Sequence, residues 1–390
     1  MSAATGGRAR TLPKQAVAGA PLLEVDGLRT YFRLPRGTVK AVDGVSFRLE
    51  AGEALGIAGE SGCGKTTTAL SLIQLLPPNA RIAGGSVRLY GIDLAAKSTN
   101  QMRRYRWREI SIVFQGAMNA LNPVRRIREQ VAEPIVQRLQ VSERDALRRA
   151  GELLELVGIP SRRGTAYPHE LSGGMRQRAM IAMALACDPA IVIGDEPTTA
   201  LDVMVQAQIL DLLERLRRQL GLSLILITHD LSVIAETCDR VLIMYAGRVA
   251  EEGPVRDVFA RPRHPYTQKL LRAFPNIHAD RRTLDTIPGA PPDLVDPPPG
   301  CRFAPRCPLV MDVCRTEVPA EVTFDGVRVA CHRYPAGRDG VPIPADFADA
   351  LDVRPDAAAV PGLSGRSGSP APTAPASPAA PPAPGSGGPS

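Results

Sequence analysis

Aromatic side chains make up only 4% of these 390 residues, with a single tryptophan, and that scarcity removes one class of function at the outset. Proteins that grip single-stranded nucleic acid stack bases on rings threaded among basic residues. The net charge of +7 and the stretches "RRYRWRE" (103–109) and "RRIRE" (125–129) invite such a reading, but the arginines are scattered over many segments and the rings available to stack among them are few. The basic balance reads as a solvated face, or one held near anionic lipid headgroups, and no nucleic-acid partner is expected. Long apolar runs are missing too. The longest, such as "LSLILI" at 222–227, are far short of the roughly 20 residues that span a bilayer. The opening "MSAATGGRARTLPKQAVAGAPLLEV" also lacks the roughly 7–15-residue apolar core of a secretory signal, so the chain is expected to stay in the cytoplasm. In that reducing compartment, clustered cysteines serve as metal ligands or catalytic thiols rather than disulfides.

What is present is a chain long enough for one large domain and an appendage. Residues 1–20 are small, polar and aperiodic, and read as a disordered leader. From 346 to 390 the composition shifts to Pro/Ala/Gly/Ser repetition, ending "SGSPAPTAPASPAAPPAPGSGGPS", which is expected to be a disordered tail. Between these ends, strand-like segments at 38–49, 54–59, 190–195, 222–228 and 240–245 alternate with amphipathic helices, an α/β pattern. The clearest helix is 203–220, where Val205, Ile209, Leu212, Leu213, Leu216 and Leu220 share one face.

Chemistry enters at "GIAGESGCGKTTTAL" (56–70). Gly59, Gly64, Lys65 and Thr66 satisfy G-x-x-x-x-G-K-S/T, with an apolar strand before the loop and a helix after it. Such a loop cradles phosphate: its glycines let backbone N–H groups converge, Lys65 supplies a cation, Thr66 offers a hydroxyl to Mg²⁺, and the helix start adds a positive dipole. Glu60, Ser61, Gly62, Cys63 and Thr67 complete the expected nucleotide contacts, Cys63 as a small spacer rather than a nucleophile. In "AIVIGDEPTTALD" (190–202), a buried strand delivers Asp195 and Glu196 at its end, where α/β sheets place ligands. Asp195 is the expected Mg²⁺ holder and Glu196 the residue that polarises attacking water.

"LSGGMRQR" (171–178) then resembles the signature of ABC-type ATPases, and the family's other motifs occur in order between Phe32 and His229. The resemblance spans about residues 22–335. It implies an ABC-type nucleotide-binding domain over 21–260: a RecA-like P-loop core, an antiparallel β subdomain, and a helical subdomain at about 99–172 that docks on a permease. It also implies roles: Gln115 in "IVFQGAMNALNP" as a Mg²⁺ ligand that senses the transmembrane partner, Ala200, Leu201 and Asp202 as a loop speaking across a dimer, and His229 as a γ-phosphate switch. Phe32, with Tyr31 as the alternative, would stack on adenine. Leu171, Ser172, Gly173, Gly174 and Gln177 would face ATP bound by the opposite subunit. ATP hydrolysis is therefore expected of a dimer. A soluble ABC ATPase acting on ribosomes or nucleic acid is the minor alternative, disfavoured because the chain has neither two cassettes nor long coiled coils.

"RHPYTQKLLRAFPN" (263–276), "IPGAPPDL" (287–294) and the cysteines that follow resemble the C-terminal extension of ATPases from dipeptide, oligopeptide and nickel importers, here 261–345. That implies a peptide-type importer at the cytoplasmic face of the membrane, with a second, different ATPase chain, two permease subunits and an external binding protein; nickel or another solute is the alternative cargo. Cys301, Cys307, Cys314 and Cys331 crowd a segment that looks too short for its own hydrophobic core, so a metal centre is expected to replace one. Four thiolates suit either tetrahedral Zn²⁺ or a 4Fe–4S cluster, and spacing does not decide between them. The importer resemblance tips the expectation to a structural 4Fe–4S cluster, with His332 as a neighbour and, in the alternative, a substitute ligand.

Overall fold

The structure, a computed structural model, describes residues 21–116, 120–199, 201–273 and 287–334. The leader, Ala200, the tail and positions 335–345 lie outside the described residues. The strands are β1 (Leu23–Leu34), β2 (Gly37–Leu49), β3 (Ala54–Ala58), β4 (Ala80–Leu89), β5 (Ile92–Asp93), β6 (Ile110–Val113), β7 (Ile191–Asp195), β8 (Ser223–Ile227), β9 (Arg240–Tyr245), β10 (Arg248–Pro254), β11 (Glu321–Phe324) and β12 (Val327–Ala330). They form a sheet of order β2-β1-β4-β5 and a larger one of order β11-β12-β10-β9-β3-β8-β7-β6. In the larger sheet β6, β7, β8, β3 and β9 run parallel. Every residue of β3, β7 and β8 is buried, which is why these strands read as continuous apolar runs instead of alternating ones. β1 was not legible that way, because register shifts at Val25/Leu28 and Thr30/Phe32 break its alternation.

The helices are α1 (Lys65–Leu72), α2 (Thr99–Met102), α3 (Ile127–Leu139), α4 (Glu143–Leu156), α5 (Gly173–Ala184), α6 (Val203–Leu220), α7 (Leu231–Thr237), α8 (Val255–Ala260), α9 (Pro265–Arg272) and α10 (Val313–Thr316). Within 99–172, β6 pairs with β7 in the main sheet, and the helices that pack on one another are α3 and α4, with α5 beyond, through Ile127, Val131, Ile135, Leu153 and Leu154. In α6 the buried positions are Ile209, Leu212, Leu213 and Leu216. Leu220 is 38% exposed, because the helix ends there on Gly221 in a left-handed cap (φ 61°).

The C-terminal segment departs from expectation. It does not lack a core: Phe303 and Val327 belong to the main hydrophobic cluster, and the β11/β12 hairpin extends the main sheet by pairing Glu251 with Val329 and Glu252 with Arg328. Phe303 packs against Tyr245 and Tyr266, with ring centroids 5.2 and 5.5 Å away. The turn into α9 is organised by Glu251, which is fully buried and accepts the backbone N–H groups of Arg263 (2.8 Å) and His264 (2.9 Å). His264 Nδ1 in turn accepts the Tyr266 N–H at 3.0 Å, and burial holds its pKa down to about 4, so the ring is neutral. Glu251→Ala leaves two buried donors without acceptors and should lower the unfolding free energy by about 2–4 kcal/mol in denaturant titrations, with Glu251→Gln losing less.

Candidate nucleotide site and cysteine pocket

The phosphate-loop motif lies between the end of β3 and the start of α1. Two of its glycines are sterically required. A Cβ at Gly59 (φ 147°) would sit 2.1 Å from the Met244 carbonyl oxygen, and one at Gly64 (φ 106°) would sit 2.3 Å from that of Ala41. α1 has no side-chain N-cap, which leaves first-turn N–H groups for a ligand. Ser61 and Gly62 are exposed, Thr67 half-buried, and Cys63 buried with its thiol pushed up by burial, consistent with a spacer. Lys65 is only 7% exposed, and its Nζ donates to the carbonyl oxygens of Gly59 (2.7 Å) and Glu60 (3.1 Å). A nearly buried ammonium held by carbonyls suits an anion such as phosphate.

Thr66 Oγ1 donates to Asp195 Oδ1 at 3.0 Å, joining the loop to the end of β7. Asp195 is 1% exposed, and burial pushes its carboxyl up. A hydroxyl and a carboxylate facing each other at a phosphate loop are the hard oxygen donors that Mg²⁺ takes. Beside them, Glu196 gathers three groups. Gln115 Nε2 donates to Glu196 Oε2 at 2.8 Å, Thr199 Oγ1 to the same oxygen at 2.9 Å, and His229 Nδ1 lies 3.3 Å from Oε1. Gln115, Glu196 and His229, separated by up to 114 positions in the chain, are thus brought together. Thr199 was missed; its only sequence signal is its place three residues after Glu196. Glu196 also holds φ 47°, an uncommon backbone for a side chain of its size. A carboxylate so oriented can align and polarise water.

The remaining motif residues sit elsewhere. Ser172 is exposed and caps α5, its Oγ accepting the Met175 N–H at 3.3 Å, and Gly173 and Gly174 open that helix. A Cβ on Gly174 would meet Val205 at 2.7 Å, so the signature packs on the start of α6. Asp202 caps α6 through the Val205 N–H (3.0 Å), Leu201 packs against the core, Leu171 and Gln177 are buried, and Ala200 lies outside the described residues. Among the described residues, no hydrogen bond joins the signature to the phosphate loop. On β1, the Tyr31 hydroxyl donates to Asp43 at 2.7 Å, which leaves half-buried Phe32 as the aromatic without a polar tether.

Cys301, Cys307, Cys314 and Cys331 are unbridged and line one small pocket together with His264 and His332. The Cys301 N–H donates to the Cys314 carbonyl at 2.8 Å. Burial, with neighbouring thiols adding, pushes Cys307 up to about 11 and Cys331 up to about 12. Among the described residues, however, no group of three or more His, Cys, Asp or Glu could hold a metal ion as the side chains stand. The metal centre expected here is therefore not preformed among the described residues, although the four thiols share a pocket. The His332 ring lies against the Glu317 carbonyl, Nε2 to O 2.9 Å.

The chain is similar to known proteins over most of its length. Residues 42–199 match the ABC transporter family, and residues 250–314 match the oligopeptide/dipeptide transporter C-terminal region. A probable peptide ABC transporter ATP-binding protein of Sinorhizobium fredii is 50% identical over 317 residues, 80% of this chain and 95% of that protein. The oligopeptide transport ATP-binding protein OppD of Escherichia coli is 46% identical over 325 residues, 83% of this chain and 96% of its own. Among solved structures, the dimeric ATP-binding cassette MJ0796, in a post-hydrolysis state bound to ADP and Pi, superposes with a TM-score of 0.54 at 28% identity, covering 60% of this chain and 98% of that one. Lys65→Ala removes the loop's buried cation and should weaken ATP binding by at least about tenfold in equilibrium titrations while leaving the melting temperature near the parent's.

Proposed function

This chain belongs to the ATP-binding subunits of ABC peptide transporters, and from that premise we propose that it hydrolyses ATP to drive uptake of di- or oligopeptides through separate permease subunits. The observation that carries the reading is the Gln115–Glu196–His229 group beside a phosphate loop, joined to a segment of the oligopeptide/dipeptide transporter type. No described helix is long and apolar enough to cross a membrane, which fits a subunit that works against membrane partners. The working location we assign is the cytoplasmic face, as a peripheral subunit.

In the proposed mechanism, the phosphates lie on the N–H groups of the 59–66 loop with Lys65 against them, and Phe32 stacks on adenine. Mg²⁺, when bound, neutralises phosphate charge and would be held by Thr66, Asp195 and Gln115. Glu196, kept in place by Gln115, Thr199 and His229, orients the attacking water and accepts its proton at a carboxylate oxygen. Leu171, Ser172, Gly173, Gly174 and Gln177 complete the site of a second ATPase chain, and Leu201 and Asp202, with Ala200, form the loop between the two. We assign residues 21–260 to the cassette and 261–345 to the importer-type extension, with an external binding protein and a different second ATPase as partners.

The four cysteines are proposed to take a 4Fe–4S cluster. Their shared pocket and the resemblance of the segment to importer ATPases support this. The cluster's part is structural. Anaerobically purified protein should be brown and carry iron, and Cys307→Ser should lose that iron; colourless protein with one equivalent of zinc would sink the assignment. The catalytic reading has its own check in the assembled transporter. Glu196→Gln should retain ATP binding yet cut turnover on the order of 100-fold or more, and near-parental turnover would refute the role given to Glu196.

A further inference from the structure

The segment that carries the cysteines also reaches into the nucleotide loop. Arg306, whose side chain is 5% exposed, forks onto Glu60: Nη1 donates to Oε2 at 2.6 Å and Nη2 to Oε1 at 2.9 Å. Its Nε donates to the Pro288 carbonyl at 2.8 Å, Nη2 also to that of Ile287 at 3.1 Å, and Nη1 to the Tyr245 hydroxyl at 3.2 Å. All three guanidinium nitrogens are thus committed, and the fork cannot swing away without breaking several bonds. Glu60 is gripped at its other polar groups as well. Its N–H donates to the Tyr266 hydroxyl at 2.8 Å, and its carbonyl receives Lys65 Nζ at 3.1 Å.

Glu60 is the one acid in the phosphate loop, and it sits where a polyanion has to bind. Unpaired, its carboxylate would repel the phosphates and be free to turn toward Lys65, the loop's own cation. We propose that Arg306 is a positioning residue for ATP: by pairing with Glu60 it cancels that charge and keeps the carboxylate from turning toward the phosphates and Lys65. The C-terminal extension thereby sets nucleotide affinity from 246 residues away. The inference rests on the ATP-binding reading and adds a residue that no phosphate-loop pattern contains.

Equilibrium binding of a fluorescent ATP analogue to the full chain, with KM and kcat of the assembled transporter, tests it. Arg306→Ala should raise the dissociation constant and KM on the order of tenfold, about 1.4 kcal/mol, with kcat changing less. Arg306→Lys, which keeps the charge but loses the fork, should fall between parent and alanine. The distinguishing result is non-additivity: Arg306→Ala combined with Glu60→Gln should bind ATP as tightly as Glu60→Gln alone, because no carboxylate remains to be neutralised. A structural role alone would leave the double variant as weak as Arg306→Ala or weaker, and that outcome overturns the proposal, as does parental affinity in Arg306→Ala. If Arg306→Ala does not fold, Arg306→Lys with and without Glu60→Gln carries the same comparison. A parent chain that fails to bind ATP refutes the ATPase reading itself, whereas a parent and Arg306→Ala that bind equally well refute only this inference.

Discussion

Everything at the nucleotide site hangs on the parallel register of three buried strands. β8 pairs with both β3 and β7, and its Ile227 faces Ile57 on one side and Asp195 on the other. That register puts the strand ends at one level, so the turn after β3, the acids after β7 and the histidine after β8 emerge side by side. The Thr66–Asp195 hydrogen bond and the contact between Glu196 and His229 are consequences of it. Because all three strands are buried on both faces, a slip in pairing would drag polar residues into the core, which makes the register strongly specified.

The C-terminal extension solves its stability problem by borrowing. Too short to bury much surface alone, it lays Phe303 against the touching rings of Tyr245 and Tyr266 and adds a hairpin to the edge strand β10. Pairing covers an edge that would otherwise offer unpaired backbone groups. Docking is completed by polar contacts: Arg328 reaches Glu252 and the Ser46 carbonyl, Arg302 reaches Asp43, and Arg306 reaches Glu60. The extension is therefore continuous with the cassette mechanically, and its cysteine pocket stands one residue from a side chain that touches the phosphate loop.

Thiols and loop are physically different kinds of site. The loop presents its groups before anything binds, since glycine conformations and helix geometry hold its N–H groups in place. Cys307 and Cys331 are held protonated by burial in the shared pocket, so a metal centre there would have to displace their protons and draw the segment around itself.

The sequence by itself determined the α/β class, the phosphate loop, the acid pair at the end of β7 and the cysteine crowd, because each is a local pattern whose chemistry needs particular residue types at short spacings; the signature was legible through resemblance. Gln115 and His229 were legible only through resemblance, since nothing in their own neighbourhoods ties them to Glu196. Tyr266 and Arg306 were not legible at all. An arginine in "APRCP" and a tyrosine in "HPYT" look like any others; what gives them meaning is a partner about 200 or more positions away, and only the sheet register and the docking of the extension bring that partner within hydrogen-bond reach. Tertiary structure also decided that the cysteine segment has a core, because that core belongs to the cassette and cannot be counted from the segment's own composition.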